Sequence, residues 1–242
     1  MAIVAMTALA GVTGAQATKT TVVRSGDLSL TVSGGSDPQR LPETRNVPIS
    51  LKLGAEVTTA DGNSPPAAQT LEFRFDRQGA IETDAMPICR RRQLTGSVIK
   101  SEDYCSEAVV GGGGFFLHVA LPGQIPFLTG GRLVAFNGGV EHGKPVIFVM
   151  AALSARVEWG TFVTKVVISD TDRGTRDTRA IARIPPIADG MGVLKSFNLK
   201  FGRKPDFLSA RCENGRLSAH WAVSFQDGNR LQGDHAQPCH SR

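Results

Sequence analysis

Five histidines, a scatter of carboxylates and four cysteines are the residues of this 242-residue chain whose types could do chemistry. The histidines are His118, His142, His220, His235 and His240. Imidazoles hold a metal when they share one face at short spacing, as in HxH or HExxH, and neither spacing occurs around any of them. Cys239-His240 beside His235 is a single cluster without a second half, and CxxC is absent. No metal or other cofactor is expected. His118 alternates with Phe115, Leu117 and Val119 and so falls on the opposite face of a strand, while His220 precedes Trp221 in a second β run. His142 sits in a turn-like stretch from Gly138 to Gly143.

Glycoside hydrolysis needs two carboxylates set across a cleft. Glu56, Glu72, Asp76, Glu141 and Glu158 are available, but most alternate with apolar positions, the pattern of a solvated sheet face. Acyl transfer by a serine on a strained elbow would show GxSxG, which is missing. The glycine run Gly111 to Gly114 lacks the GK[ST] ending and the following helix that a phosphate loop requires, so it reads as a flexible lead-in to a strand at Phe115. No catalytic, cofactor-binding or metal residue emerges. Aromatic residues are mostly Phe, with two Trp and one Tyr, which argues against a carbohydrate-stacking face.

The elements that would position these residues are almost all strands. Ile49, Leu51, Leu53, Ala55 and Val57 alternate with Ser50, Lys52, Gly54 and Glu56, so one face is buried and one is wet. Leu71, Phe73 and Phe75 repeat the pattern, as do Phe115, Leu117 and Val119. Further strands are expected at Leu28–Val32, Arg132–Phe136, Val146–Leu153, Phe162–Ile168, Thr178–Ile184, Leu194–Phe201, Leu208–Cys212, Leu217–Phe225 and Arg230–His235. Asp227-Gly228 and Asn214-Gly215 supply turn chemistry, which makes Leu208 to Cys239 a three-stranded meander in this reading. One short helix is expected at 101–108, capped by Ser101, with Glu102 and Asp103 favouring its amino-terminal dipole. The expected fold class is all-β, an antiparallel β-sandwich of about 10–12 strands. Its boundaries are 1–17 for a signal peptide, 18–46 for an amino-terminal strand and polar linker, and 47–242 for the sandwich domain.

Residues 1–17 carry no charge and close on Ala15-Gln16-Ala17, a small-x-small cleavage pattern. A leader of this kind normally begins with a positive charge, which a start upstream of Met1 would supply. No later stretch has the roughly 18 uninterrupted apolar residues of a membrane helix, so no membrane span is expected in the mature chain. Secretion, or the extracellular cell envelope, is the expected location, and four cysteines suit that oxidising side. Four allow three pairings, of which Cys89 with Cys105 and Cys212 with Cys239 close the shortest loops.

Twenty-seven basic residues against 22 acidic ones give a formal net charge of +5. The excess is concentrated only at Arg90-Arg91-Arg92 and in the scattered set Arg173, Arg176, Arg179 and Arg183. That does not match a nucleic-acid binder, which gathers its charge on one face. It leaves an anionic polymer or a cell-envelope surface as the partner class that the Arg run could meet.

Several segments carry a resemblance: Pro48 to Pro66 with Ala60-Asp61-Gly62, Leu71-Glu72-Phe73 through Met86-Pro87-Ile88-Cys89, and Cys105 followed by Ala108-Val109-Val110-Gly111. With Phe136-Asn137-Gly138-Gly139, Lys144-Pro145, Ile184-Pro185 and the Cys212 to Cys239 unit, they resemble exported β-rich proteins of actinobacterial type. The resemblance spans nearly all of the mature chain. It implies export and two local disulfides, and it carries over no activity and no functional residue. The expected function is a non-enzymatic binding or cell-envelope module; the competing class is a secreted hydrolase.

Overall fold

The computed structural model describes residues 19–84, 86–94, 96–153, 161–170, 178–202 and 207–241. The leader expected at 1–17, together with Glu158, Arg173 and Arg176, lies outside the described residues. The alternating runs form strands β1 (Lys19–Ser25), β2 (Leu28–Asp37), β3 (Arg40–Leu41), β4 (Val47–Pro48), β5 (Ser50–Thr59) and β6 (Ala68–Phe75). They continue with β7 (Gly79–Ile81), helix α1 (Val98–Cys105), β8 (Val109–Val119), β9 (Phe127–Glu141), β10 (Lys144–Leu153) and β11 (Thr161–Asp170). The last are β12 (Thr178–Arg183), β13 (Gly192–Phe201), β14 (Leu208–Ala210), β15 (Arg216–Phe225), β16 (Arg230–Pro238) and β17 (His240–Ser241).

Twelve strands make one antiparallel sheet in the order β1-β2-β5-β13-β8-β9-β10-β11-β12-β6-β15-β16. The sheet curls until its two edges lie side by side, β16 against β1. The all-β, antiparallel class read from the sequence is the one that forms, and the two layers of a sandwich are here opposite walls of one nearly closed sheet. The β9–β10 hairpin turns through His142 (φ 52°) and Gly143 (φ 72°), both left-handed, as a two-residue turn matched to the strand twist demands. A small sheet, β4-β14-β7, and the parallel pair β3–β17 complete the described strands.

Four local expectations are corrected. Gly111–Gly114 is no lead-in: it forms part of β8, paired with β13 on one side and β9 on the other. Its backbone is approached so closely that a Cβ on Gly113 would stand 1.9 Å from the Asn198 carbonyl oxygen, a contact only glycine permits. The helix begins at Val98, not Ser101. Ser97 is its cap, its hydroxyl accepting from the Lys100 N–H at 3.2 Å, and Ser101 is buried inside, donating to the Ser97 carbonyl at 3.1 Å. Glu102 is held by Arg132 of β9 through two bonds of 2.6 and 2.7 Å. The expected carboxy-terminal meander has only two of its three strands: β14 leaves it to pair with β4 and β7, because Phe207, Leu208 and Ala210 are drawn into the main core. Gly34–Asp37, beyond the strand expected at Leu28–Val32 and within the 18–46 strand-and-linker segment, extends β2 and pairs in register with Leu53–Ser50 of β5.

Two disulfides join Cys89 to Cys105 and Cys212 to Cys239, with Cα atoms 5.5 and 6.0 Å apart. The first closes an excursion laid over the outside of β9 and β10. There Leu94, Val98 and Ala108 pack on Val134, Phe136 and Phe148. Asn137 pins the entry of this excursion. It is wholly buried, its amide donating to the carbonyls of Thr83, Met86 and Pro87 at 2.8, 3.3 and 3.1 Å and its oxygen accepting from the Gly139 N–H at 3.0 Å. No helix among the described residues is long and apolar enough to cross a membrane.

Candidate ligand-binding cavity

A ring of about eight strands is just wide enough for side chains to fill or to hold one small ligand, so twelve strands leave space unless something plugs them. Buried side chains fill part of this barrel at two places. At one, Leu28, Leu30 and Val32 of β2 meet Trp221, Val223 and Phe225 of β15 in a compact cluster. At the other, Phe207 and Leu208 turn inward from the small sheet. Between them lies a cavity of about 250 Å³, walled by side chains such as Leu53, Phe73, Phe115, Val149, Phe162 and Phe197. Leu51, Leu53, Phe73, Phe75 and Phe197 face it yet are only partly buried, whereas the outward pair Phe136 and Phe148 is sealed beneath the disulfide-closed excursion.

The polar groups around the cavity are few. Asp76 is committed to β15, accepting from the Ser218 N–H at 2.8 Å and its hydroxyl at 2.9 Å. Gln237 of β16 reaches across the seam to β2. Its oxygen accepts from the Ser36 N–H at 2.6 Å and its amide donates to the Ser36 carbonyl at 3.1 Å, so a side chain substitutes for the missing strand-to-strand ladder. The Thr21 hydroxyl adds a weaker contact to the Asp234 carbonyl at 3.4 Å. His235, two residues before Gln237, also lines the cavity beside Gly34 and Gly35. Burial pushes its pKa below the usual histidine range; the Gly34 backbone opposes that and the Lys19 charge adds to it.

The other residues singled out in the sequence lie apart from this cavity. His118 faces outward from β8, and His220 places Nδ1 3.2 Å from the Asp234 carboxylate on the outer face. Cys239 is bonded to Cys212 and His240 is exposed on β17, so they and His235 do not form a ligand set. Glu56 is exposed on β5 and Glu141 is paired with Lys165. Arg90, Arg91 and Arg92 are exposed on the excursion. Among the described residues Glu72 is the buried carboxylate, outward on β6, gripped by Arg74 at 2.7 Å and by Arg179 at 2.9 and 3.0 Å, with Arg230 at 3.8 Å. The Arg179 hydrogen bonds, reinforced by Arg74, outweigh desolvation and lower its pKa to about 2.

That shift fixes a pH dependence. A carboxylate depressed in the folded state gives stability that is present above its unfolded pKa, about 4.3, and lost as pH falls toward 2. A lowering of this size corresponds to roughly 3 kcal/mol at most. Urea midpoints of the wild type should fall between pH 4.5 and 2, and Glu72→Gln should remove part of that fall while lowering stability at pH 7. Parallel curves for the two proteins below pH 4.5 would show that Glu72 is not the group responsible.

Sequence reasoning missed the cavity and its seam residues. A signal for them exists, because counting back by twos from the buried Cys239 puts Gln237, His235, Gly233 and Leu231 on one face of β16. Compared with protein-family models, curated proteins and solved structures, the chain matches none.

Proposed function

We propose that this protein is a secreted, non-enzymatic binding protein that carries a small apolar molecule inside its barrel. The observation that supports this reading is the apolar cavity itself, since ligand sites are concave, mainly hydrophobic and furnished with a few placed polar groups. The apolar run closing on Ala15-Gln16-Ala17 and the two disulfides support the extracellular setting. A hydrolase has less support, because the cavity histidine, His235, makes no hydrogen bond to a serine and so activates no nucleophile.

The test is uptake of an uncharged fluorescent probe, N-phenylnaphthylamine, by the intact protein. Saturable binding with a blue-shifted emission is expected, and Ala180→Phe, which fills the cavity, should weaken it by more than about tenfold while changing stability by no more than about 1–3 kcal/mol. Ala182→Leu serves if the larger residue prevents folding. Absence of saturable binding, or equal binding by the filled variants, would overturn the reading.

A further inference from the structure

Resting on the apolar-cavity reading above, we propose that the seam between β2 and β16 is the headgroup site of this cavity. Its occupant is a single-chain carboxylic acid whose tail fills the apolar interior and whose carboxyl group meets His235.

Unmet hydrogen-bonding capacity gathers at this one edge of the sheet. Among the described residues, four buried side-chain nitrogens make no hydrogen bond of good geometry: His118 Nδ1 on the outside, and Trp221 Nε1 with both ring nitrogens of His235 on the inner face of β15 and β16, the imidazole lying against the Gly34 backbone. The remaining polar groups of the seam are satisfied, Gln237 by Ser36 and Asp76 by Ser218. Buried polar atoms are nearly always paired, so the under-satisfied imidazole of His235 in the wall of an apolar chamber reads as a waiting recognition element.

Two glycines make the arrangement possible. Gly34 leaves the imidazole its room, for a Cβ there would stand 3.2 Å from His235 Nε2. Gly233, opposite Trp221, does the same for the indole, whose ring would lie 2.6 Å from a Cβ. Gly34 lies in β2 and Gly233 in β16, the two strands that Gln237 ties together.

The chemistry selects an acid. The two ring nitrogens of an imidazole point apart, so a carboxyl group engages one of them: its oxygen accepts from the ring N–H, or its O–H donates to the bare nitrogen. Transfer of the acid proton to the ring leaves the same contacts as a charge-assisted pair. Lys19 lies opposite Gly34 in the β1–β2 register, and its positive charge favours an anionic group over an amine. The cavity volume of about 250 Å³ falls just under the roughly 300–1,000 Å³ of sites for drug-sized ligands, which suits one slim chain.

Competition against N-phenylnaphthylamine separates headgroup from tail. Laurate should displace the probe from the wild type at about tenfold lower concentration than from His235→Phe, with His235→Gln, which keeps a donor and an acceptor, recovering most of the difference. Dodecane should displace it equally from all three. In the wild type, laurate and not dodecane should shift the His235 ring-nitrogen resonances, a readout that stands even if a variant fails to fold. Equal laurate displacement from wild type and His235→Phe, or unmoved ring resonances at saturation, would overturn the headgroup site while leaving the cavity intact. Failure of the wild type to take up the probe at all would bring down the cavity reading and this one with it.

Discussion

Gly113→Ala should cost the barrel about 3–5 kcal/mol, a large part of the roughly 5–15 kcal/mol that holds an ordinary domain folded. The added methyl carbon would sit 1.9 Å from the Asn198 carbonyl oxygen and 2.8 Å from its carbon, both backbone atoms that cannot swing aside. Relief requires β13 to move away from β8, which breaks a ladder running from Gly111–Phe201 to Val119–Gly192. The adjacent residue provides the control. A Cβ on Gly112 would lie 3.6 Å from the Leu133 carbonyl oxygen, an ordinary contact, so Gly112→Ala should change stability by less than about 1 kcal/mol. Similar urea midpoints for the two variants would show that close strand approach is not what the glycine run provides.

Asn137→Leu should be nearly as damaging, at about 3–5 kcal/mol. The substitution keeps the shape but leaves the carbonyls of Thr83, Met86 and Pro87 and the Gly139 N–H without the partner that satisfied them. Each stranded buried group costs about 1–3 kcal/mol, less where water can reach it after relaxation. The loss should be local first: the excursion from Met86 to Ala108 is joined to β9 at this point, through the side chain and through the Cys89 N–H on the Asn137 carbonyl at 2.8 Å. Limited proteolysis should therefore cut Asn137→Leu near Arg90–Arg92 under conditions that spare the wild type. Asn137→Asp should be worse at pH 7, because a carboxylate would face three carbonyl oxygens, and should recover in part on acidification as the acid regains a donor. Unchanged proteolysis of both variants would show that the excursion is held by its apolar contacts and disulfide alone.

These two positions mark the boundary of what the sequence discloses. Alternation placed Leu51, Leu53, Phe73 and Phe115 on the inner face and His118 on the outer one, because a strand allows only two directions and burial selects between them. Alternation says nothing about how far apart opposite walls stand. A run of inward leucines and phenylalanines reads the same for a filled sandwich as for a ring with space at its centre, and the cavity was invisible for that reason. The glycine run was misread because close approach of β13 is a tertiary fact that composition resembles only as flexibility. Leu208–Ala210 reads as a strand and is one, but its partners β4 and β7 are distant in sequence and short, so nothing local points to them. The helix cap was misplaced by one turn because Ser97 and Ser101 are alike as residues, and only the buried face beginning at Val98 distinguishes them.

Gln237 has a consequence for solubility. The twelve-stranded sheet has two raw edges, β1 and β16, and an open edge of a sheet this large invites pairing with another chain. Here each edge shelters the other, and the contacts across the seam include the Gln237 amide clasp on Ser36 of β2 and the Thr21 hydroxyl on Asp234 of β16. The barrel thus guards against self-assembly by self-closure. Opening the seam would uncover two templates at once, so the first sign of a weakened clasp should be ordered aggregation of a chain whose core is still folded.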